Sequence, residues 1–294
     1  MPCYYPIDGF HSRTGGITFT KKDAWVDRPV TVPCGRCIGC RLEHSRQWAM
    51  RCMHEASLYD QNCFATLTYS PQFMPENGSL QIRDHQLFMK KLRKQHPESK
   101  IRFFMCGEYG KTGITHPHYH YLLFNFDFSD KEQIEDAPSG EKQWTSETLD
   151  KIWGYGRCTL GNVTFASAGY VARYTLKKIT GKAAAAYYGN LQPPFSAMSR
   201  GGRGKGQGGI GAPWLNKWGG DVYPHDYVVI NGKKVKPPKF YDKLQSEDYQ
   251  QSLRARRIRS AKKTIDPHEQ SKERLAVKEE IQQRRIDEHL PRKI

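Results

Sequence analysis

Three histidines stand at alternate positions in the stretch HPHYHYLLF, residues 116–124, directly ahead of an apolar run. Successive side chains of a β-strand point to opposite faces, so His118 and His120 share one face and Tyr119 takes the other. Two imidazoles about 7 Å apart along one face can both reach a single divalent cation. His116 would join them if the strand already begins there, although Pro117 removes a ladder donor and suits a strand start or edge. Glu108 ends the preceding β-rich stretch IRFFMCGE. If the two stretches pair as a hairpin, its carboxylate arrives beside His118. A mixed imidazole and carboxylate set suits Mg²⁺ or Mn²⁺ whose other positions are filled by substrate oxygens. Glu108 is therefore taken as the third ligand in preference to His116. The same alternation fits a second chemistry, a metal-free histidine triad in which His118 or His120 attacks a nucleotide phosphate.

A second reactive pattern lies in GYVARYTLKK. At about 100° per residue, Ala168, Val171, Ala172, Leu176 and Ile179 gather on one side of a helix, and Tyr170, Arg173, Tyr174 and Lys177 on the other. Two tyrosines at i and i+4 thus stand together among cations. A nearby positive charge favours the phenolate, and a tyrosinate can attack phosphorus to form a covalent intermediate. Each tyrosine is followed three residues later by a cation, Arg173 after Tyr170 and Lys177 after Tyr174.

The third pattern is the C-x₂-C-x₂-C run of Cys34, Cys37 and Cys40 in PCGRCIGC, with Cys3 available as a fourth ligand. Four thiolates make a closed tetrahedral zinc site, the structural kind. His44, Cys52 and His54 are other possible completions. The alternative is a set of reduced thiols in a glycine-containing turn.

The elements that must position these groups follow from periodicity. Residues 1–40 read as an irregular arm, and RLEHSRQWAMRCMHEASLY as a helix. CFATLTYS is a strand. DHQLFMKKLRKQ is a helix with Asp84 as its N-cap, IRFFMCGE and HYHYLLFNF are two further strands, and residues 127–144 form a polar loop. SETLDKIWG is a short helix, RCTLGNVTF a strand with a turn at Gly161 and Asn162, and SAGYVARYTLKKI a helix. SRGGRGKGQGGIGAPW is glycine-rich and basic, and Asn231-Gly232 marks a hairpin turn. From about residue 243 the chain is charge-rich and reads as a solvated helix or disordered extension rather than a dedicated binding element. The fold class expected is α+β, an antiparallel sheet with helices packed on it.

Composition limits the partners. The 294 residues carry 46 Lys+Arg against 30 Asp+Glu, a net charge of +16, which points to a polyanion, nucleic acid first. The 16 Tyr and 13 Phe supply rings on which single-stranded bases can stack. No stretch is apolar and long enough to span a bilayer, and MPCYYPIDGF lacks the pattern of a secretory signal, so the expected setting is a reducing cytoplasm with no membrane partner. The 8 Cys are then thiols or metal ligands.

FATLTY, HPHYHYLLF and YVARYTLKK, in that order, resemble the three motifs of the HUH rolling-circle replication endonucleases, and most closely the two-tyrosine initiators of small single-stranded DNA phages. PCGRCIGCRLEHSRQWAMRCMHE and YPHDYVVINGKKVKPPKFYD extend the resemblance, over about residues 1–242, to the replication initiators of gokushovirus-type microviruses. The resemblance implies an RRM-like, ferredoxin-like catalytic core at 61–182. Around it lie a Cys-rich arm and helix at 1–60, a Gly-rich basic loop and hairpin region at 183–242, and a charged tail at 243–294. It implies His118 and His120 as metal ligands, Tyr170 and Tyr174 as nucleophiles, and Lys177 as the residue that contacts phosphate or organises the metal. Arg173 departs from the lysine expected after the first tyrosine and cannot readily give up a proton, which favours Tyr174 as the first nucleophile. The implied reaction is transesterification of a strand at a viral origin. A host helicase and polymerase would be the partners, since no G-x-x-x-x-G-K-[ST] loop is present. Two other readings remain: the histidine-triad nucleotide hydrolase, and a non-catalytic, zinc-stabilised nucleic-acid-binding protein.

Overall fold

A computed structural model describes residues 3–110, 116–137, 140–173, 182–201, 208–264 and 266–289. The chain divides into two compact units, Met1–His44 with Ser246–Ile294, and Ser45–Gln245. No helix among the described residues is long and apolar enough to cross a membrane.

In the first unit, strands β1 (Ile7–Ser12), β2 (Ile17–Thr18) and β3 (Ala24–Val32) form an antiparallel sheet in the order β2-β1-β3. The expected irregular arm is thus corrected. The signal was hidden because β3 is mostly exposed and carries Pro29, so it shows no apolar alternation to read. Helix α1 (Ile38–Ala56) follows, and the boundary between the units falls within it.

The second unit is built on a sheet of β4 (Asn62–Thr68), β5 (Arg102–Tyr109), β6 (Pro117–Phe124), β7 (Glu132–Gln133), β8 (Trp144–Thr145), β9 (Cys158–Gly161) and β10 (Phe195–Met198). Among the described residues the order is β10-β5-β6-β4-β9-β8-β7, with every pairing antiparallel. The expected α+β class is borne out. Alternation divides the central strands cleanly. Leu67, Met105, Tyr119, Tyr121 and Leu123 enter one core, packed with Phe88 and Leu92 of α2 (Ile82–Gln95) and Leu149, Ile152 and Trp153 of α3 (Glu147–Trp153). Phe104, Cys106, Leu122 and Phe124 enter the other, with Ala49, Cys52 and Ala56 of α1 and Ala168, Val171 and Ala172 of α4 (Phe165–Ala172). Both faces of β5 and β6 are therefore covered by helices.

Several boundaries differ from the sequence expectation. α2 starts at Ile82 with Gln81 at the cap position, and Asp84 sits in its first turn. There its carboxylate accepts from the Tyr69 hydroxyl at 2.5 Å, so the acid serves a tertiary contact and not the N-cap. The strand expected over RCTLGNVTF stops at Gly161, because Thr164 and Ser167 form a reciprocal capping box that starts α4. The polar loop 127–144 contributes the short strand β7 and the first residue of β8.

The remaining elements are α5 (Lys182–Tyr188), α6 (Ala212–Val222), the hairpin β11 (Val228–Ile230) and β12 (Lys233–Val235), and α7 (Lys239–Asp242). The hairpin turns at Asn231-Gly232 as expected, with φ of 48° and 74°, the left-handed pair that a two-residue turn requires. Two 18-residue helices of the first unit close the chain, α8 (Glu247–Thr264) and α9 (Lys272–His289).

Candidate active site

The hairpin register brings the site together. Glu108 of β5 pairs with His118 of β6, Cys106 pairs with His120, and on the other flank of β6 Thr66 and Thr68 of β4 face His120 and His118. Because cross-strand partners share a face, Glu108, His118, His120 and Thr66 all stand on the side covered by α4. Glu108 and His120 are buried and His118 is half-buried. One ligand atom from each of Glu108, His118 and His120 lies within 4.8 Å of the other two. Glu108 Oε1 is 3.4 Å from His118 Nε2 and 3.5 Å from His120 Nε2.

The ring orientations are set from outside the cluster. His118 Nδ1 lies 3.0 Å from the His116 carbonyl, which can only accept, so Nδ1 carries a proton. In the neutral ring the lone pair of Nε2 then faces the Glu108 carboxylate. Two acceptors turned toward one another call for a cation between them, either a proton or a metal ion. His120 Nδ1 is held by the Thr66 hydroxyl at 3.0 Å, which leaves its Nε2 toward Glu108, and Phe64 stacks on the ring at 5.6 Å. Donors that share a cation at about 2.1 Å stand about 3.0–3.4 Å apart, so the observed spacing fits a metal ion. His116 is exposed and does not belong to this group of three.

Tyr170 of α4 completes the arrangement. It is half-buried, its hydroxyl donates to Glu108 Oε1 at 2.8 Å, and its ring meets His120 edge-on at 4.9 Å. The expectation that a nearby cation favours its phenolate holds in direction for Arg173, but that effect is outweighed. Burial holds the phenol well above its ordinary pKa, the Glu108 charge and hydrogen bond add to this, and Arg173 opposes it only in part. Tyr170 therefore rests protonated. Tyr174 and Lys177 lie outside the described residues.

A second cluster occupies the first unit. The sulfurs of Cys3, Cys34, Cys37 and Cys40 all lie within 4.8 Å of one another, and all four cysteines are free thiols. Cys3 and Cys37 Sγ are 3.9 Å apart, close to the roughly 3.8 Å between sulfurs that surround a zinc at about 2.3 Å, and far from a disulfide bond. Backbone N–H groups aim at the sulfurs, Cys34 at Cys3 (3.2 Å), Arg36 and Cys37 at Cys34 (3.4 and 3.3 Å), and Tyr4 at Cys37 (3.4 Å). At Cys34, burial raises the pKa, but these donors outweigh it and bring the thiol down to about 7. Two of the other completions, Cys52 and His54, are accounted for elsewhere. Cys52 is buried in the sheet–helix core, and the His54 ring stacks on Trp214 at 3.7 Å and shares a 2.8 Å hydrogen bond with the Tyr241 hydroxyl.

Thr66 is the participating residue that sequence reading passed over. It lies inside FATLTY, where its hydroxyl reads as ordinary strand composition. Only the pairing of β4 with β6 reveals that it faces His120.

Comparison with known proteins settles the family. The profile of the family described as Replication-associated protein ORF2/G2P matches residues 62–179. The chain is 32% identical over 254 residues to Replication-associated protein VP4 of Bdellovibrio phage phiMH2K, covering 82% of this chain and 76% of that protein. It is 34% identical over 252 residues to Replication-associated protein ORF2 of Spiroplasma virus 4, covering 80% and 75%. This chain belongs to the replication-associated proteins of gokushovirus-type microviruses. Replication-associated protein ORF4 of Chlamydia phage 1 matches over a shorter span, 31% identical across 50% of this chain and 38% of that protein. No solved structure matches. The segment matched by the family profile contains β4, β5, β6 and α4, which hold every member of the Glu108 cluster in this replication protein.

Proposed function

We propose that this replication-associated protein is an HUH-type endonuclease that opens and rejoins a DNA strand by tyrosine transesterification, with its catalytic core at 61–182. The observation that carries the reading is the Tyr170 hydroxyl, hydrogen-bonded at 2.8 Å to the one carboxylate that also faces His118 and His120. A nucleophile and a ligand set are thereby joined by a single residue. Glu108, His118 and His120 would hold Mg²⁺ or Mn²⁺, which supplies Lewis-acid polarisation of a phosphoryl oxygen when bound.

The chain's own groups do the rest. Thr66 and the His116 carbonyl orient the two imidazoles. A tyrosine oxygen, from Tyr170 or Tyr174, attacks the scissile phosphorus as the bond to the 3′ oxygen breaks. The proton lost by the phenol is balanced by the one taken up at the departing oxygen. The products are a 5′-phosphotyrosine link and a free 3′-OH that primes synthesis, and the reverse attack rejoins the strand. Phosphodiester energy is conserved, so no nucleotide cofactor is consumed. Arg173 and Lys177 would neutralise phosphate. The substrate would be single-stranded origin DNA, with a host helicase and polymerase as partners in the bacterial cytoplasm. In the first unit, Cys3, Cys34, Cys37 and Cys40 would hold a structural zinc ion.

The test is an adduct assay. Labelled single-stranded oligonucleotides spanning candidate origin sequences are incubated with the protein and Mn²⁺ or EDTA. The expected result is an SDS-resistant protein–DNA adduct that needs the metal and is lost in the Tyr170→Phe/Tyr174→Phe double variant. Metal-independent turnover of a nucleotide with no adduct would favour the histidine-triad hydrolase instead. The placement of His116 outside the cluster speaks against that alternative.

A further inference from the structure

The small sheet of the first unit turns large apolar side chains outward. Ile7, Ile17, Phe19 and Trp25 are 43, 45, 59 and 42% exposed. They gather on one face. His11 of β1 pairs with Ile17 of β2 and with Trp25 of β3, and cross-strand partners share a face. Alternation along β1 puts Ile7 and Gly9 on that face as well. Phe19 joins them by contact: a Cβ at Gly9 would stand 3.1 and 3.2 Å from its Cδ1 and Cε1. Gly9 thus makes room for the ring, which rests one edge on the strand and leaves most of itself in solvent.

Cations accompany the rings. Arg13 and Arg28, both exposed, lie 5.4 and 5.3 Å from the centre of the Trp25 ring. Arg51 of α1, by contrast, presses on Trp48 and Phe240 at 3.8 and 3.7 Å. The two arginines therefore flank Trp25 without closing it off. Asp27 reaches Arg28 only at 4.0 Å, an exposed contact worth little. Lys21 and Lys22 are exposed in the turn before β3, beside Asp23. Asp8 belongs to the opposite face, where it accepts from the Thr31 hydroxyl at 2.8 Å. A contiguous exposed apolar patch marks a binding surface. A lipid surface or a dry contact with a second copy would bury the His11 imidazole, at the centre of the patch, without partners. The edge strand β3 also breaks register between Pro29 and Trp25, which blunts it against extension by another strand.

We propose that this face of the β2-β1-β3 sheet is a platform for single-stranded DNA, with bases stacked on Phe19 and Trp25 and phosphates held by Arg13 and Arg28. Rings beside cations are the two parts that such binding needs. The strand must be single, because only an unpaired base offers its flat face to a side chain. Phe19 and Trp25 lie on opposite sides of β1, about 10 Å apart across the sheet, and so seat separate bases. The inference rests on the reading that the protein acts on DNA, but not on the chemistry at Tyr170.

The experiment measures binding alone, on the full chain carrying Tyr170→Phe and Tyr174→Phe, without chelator or added metal. Fluorescence anisotropy follows a labelled oligothymidylate and a random-sequence duplex, and circular dichroism checks the fold of each variant. Phe19→Ala/Trp25→Ala is expected to weaken single-strand binding by about 10-fold for each ring, roughly 100-fold together, and to leave the duplex unaffected. Phe19→Tyr/Trp25→Phe, which keeps both rings, should bind as the parent does. Arg13→Gln/Arg28→Gln should flatten the slope of log affinity against log salt by about 1.4, for two phosphate contacts on a single strand. Unchanged single-strand affinity in the alanine variant, or equal loss when the rings are kept, would overturn the proposal. Equal loss on the duplex would overturn stacking as its basis, and tighter binding of oligouridylate would overturn the choice of DNA. A dimer lost in the alanine variant with DNA affinity intact would make the face a contact between copies instead. An absent adduct in the oligonucleotide assay leaves these results untouched, so the two readings fail separately.

Discussion

Glu108 faces His118, His120 and Tyr170 at once, accepting a hydrogen bond from the phenol and standing 3.4 and 3.5 Å from the Nε2 atoms of the two imidazoles. A cation held by Glu108, His118 and His120 would draw on the same carboxylate that accepts from the Tyr170 hydroxyl. In the proposed mechanism, metal occupancy and the protonation of Tyr170 would therefore be coupled through one residue. Thr66 acts one step further out, by presenting the His120 ring with Nε2 inward. Thr66→Val keeps the shape but leaves Nδ1 in a buried setting without the hydroxyl. Removing an outer partner of a metal-ligating histidine lowers affinity by about 10–100-fold. We expect calorimetric titration with Mn²⁺ to show that loss while the circular dichroism spectrum is unchanged; an unaltered affinity would mean that Thr66 does not position the ring.

At the scale of elements, the site depends on how β4, β6 and β9 are held in register. Gly156, in the turn between α3 and β9, lies directly against the end of β4. A Cβ there would stand 2.5 Å from the Thr68 carbonyl oxygen and 2.6 Å from the Ser70 nitrogen, both backbone atoms that cannot rotate aside. Gly156→Ala should cost about 1–3 kcal/mol, measured by urea denaturation, and a neutral result would show that this turn yields without disturbing the strand. The central strands were legible in sequence because alternation and β-branched or aromatic content agree there, and the Asn231-Gly232 turn because its chemistry is specific. β10 and α6 were not. Phe195–Met198 is too short to show a period, and Ala212–Val222 holds Gly219 and Gly220 and follows a glycine-rich run. Both are held by tertiary contacts: β10 pairs with β5, and α6 buries Ala212, Leu215 and Val222. The pairing of ligands with Tyr170 was half legible. Spacing indicated which residues share a face, but the polar side of α4 pointed to a phenol among cations, whereas in the fold a carboxylate of another element meets it.

At the scale of the whole chain, the two units are stabilised by different means. The second has a sheet covered on both faces by buried side chains. The first joins a small, largely exposed sheet to two charged helices with little buried apolar surface, the circumstance in which a structural metal contributes folding energy outright. Protein purified without chelator should carry about one zinc per chain by elemental analysis. Its removal should unfold the N-terminal sheet, seen as loss of amide protection over residues 7–32, while the Tyr119 and Tyr121 core stays protected. Absence of zinc, or uniform loss of protection across both units, would refute this division.

The register of β5 with β6 has an evolutionary consequence. Glu108 opposes His118 directly, so the carboxylate and the imidazole cannot be moved independently along their strands. A shift of either by one position would turn it into the opposite core. The hairpin is thus the unit of inheritance for this chemistry: among relatives, insertions should accumulate between the two strands and be purged within them. A graft exchanging both strands together should transplant the ligand set intact, where a graft of β6 alone would not.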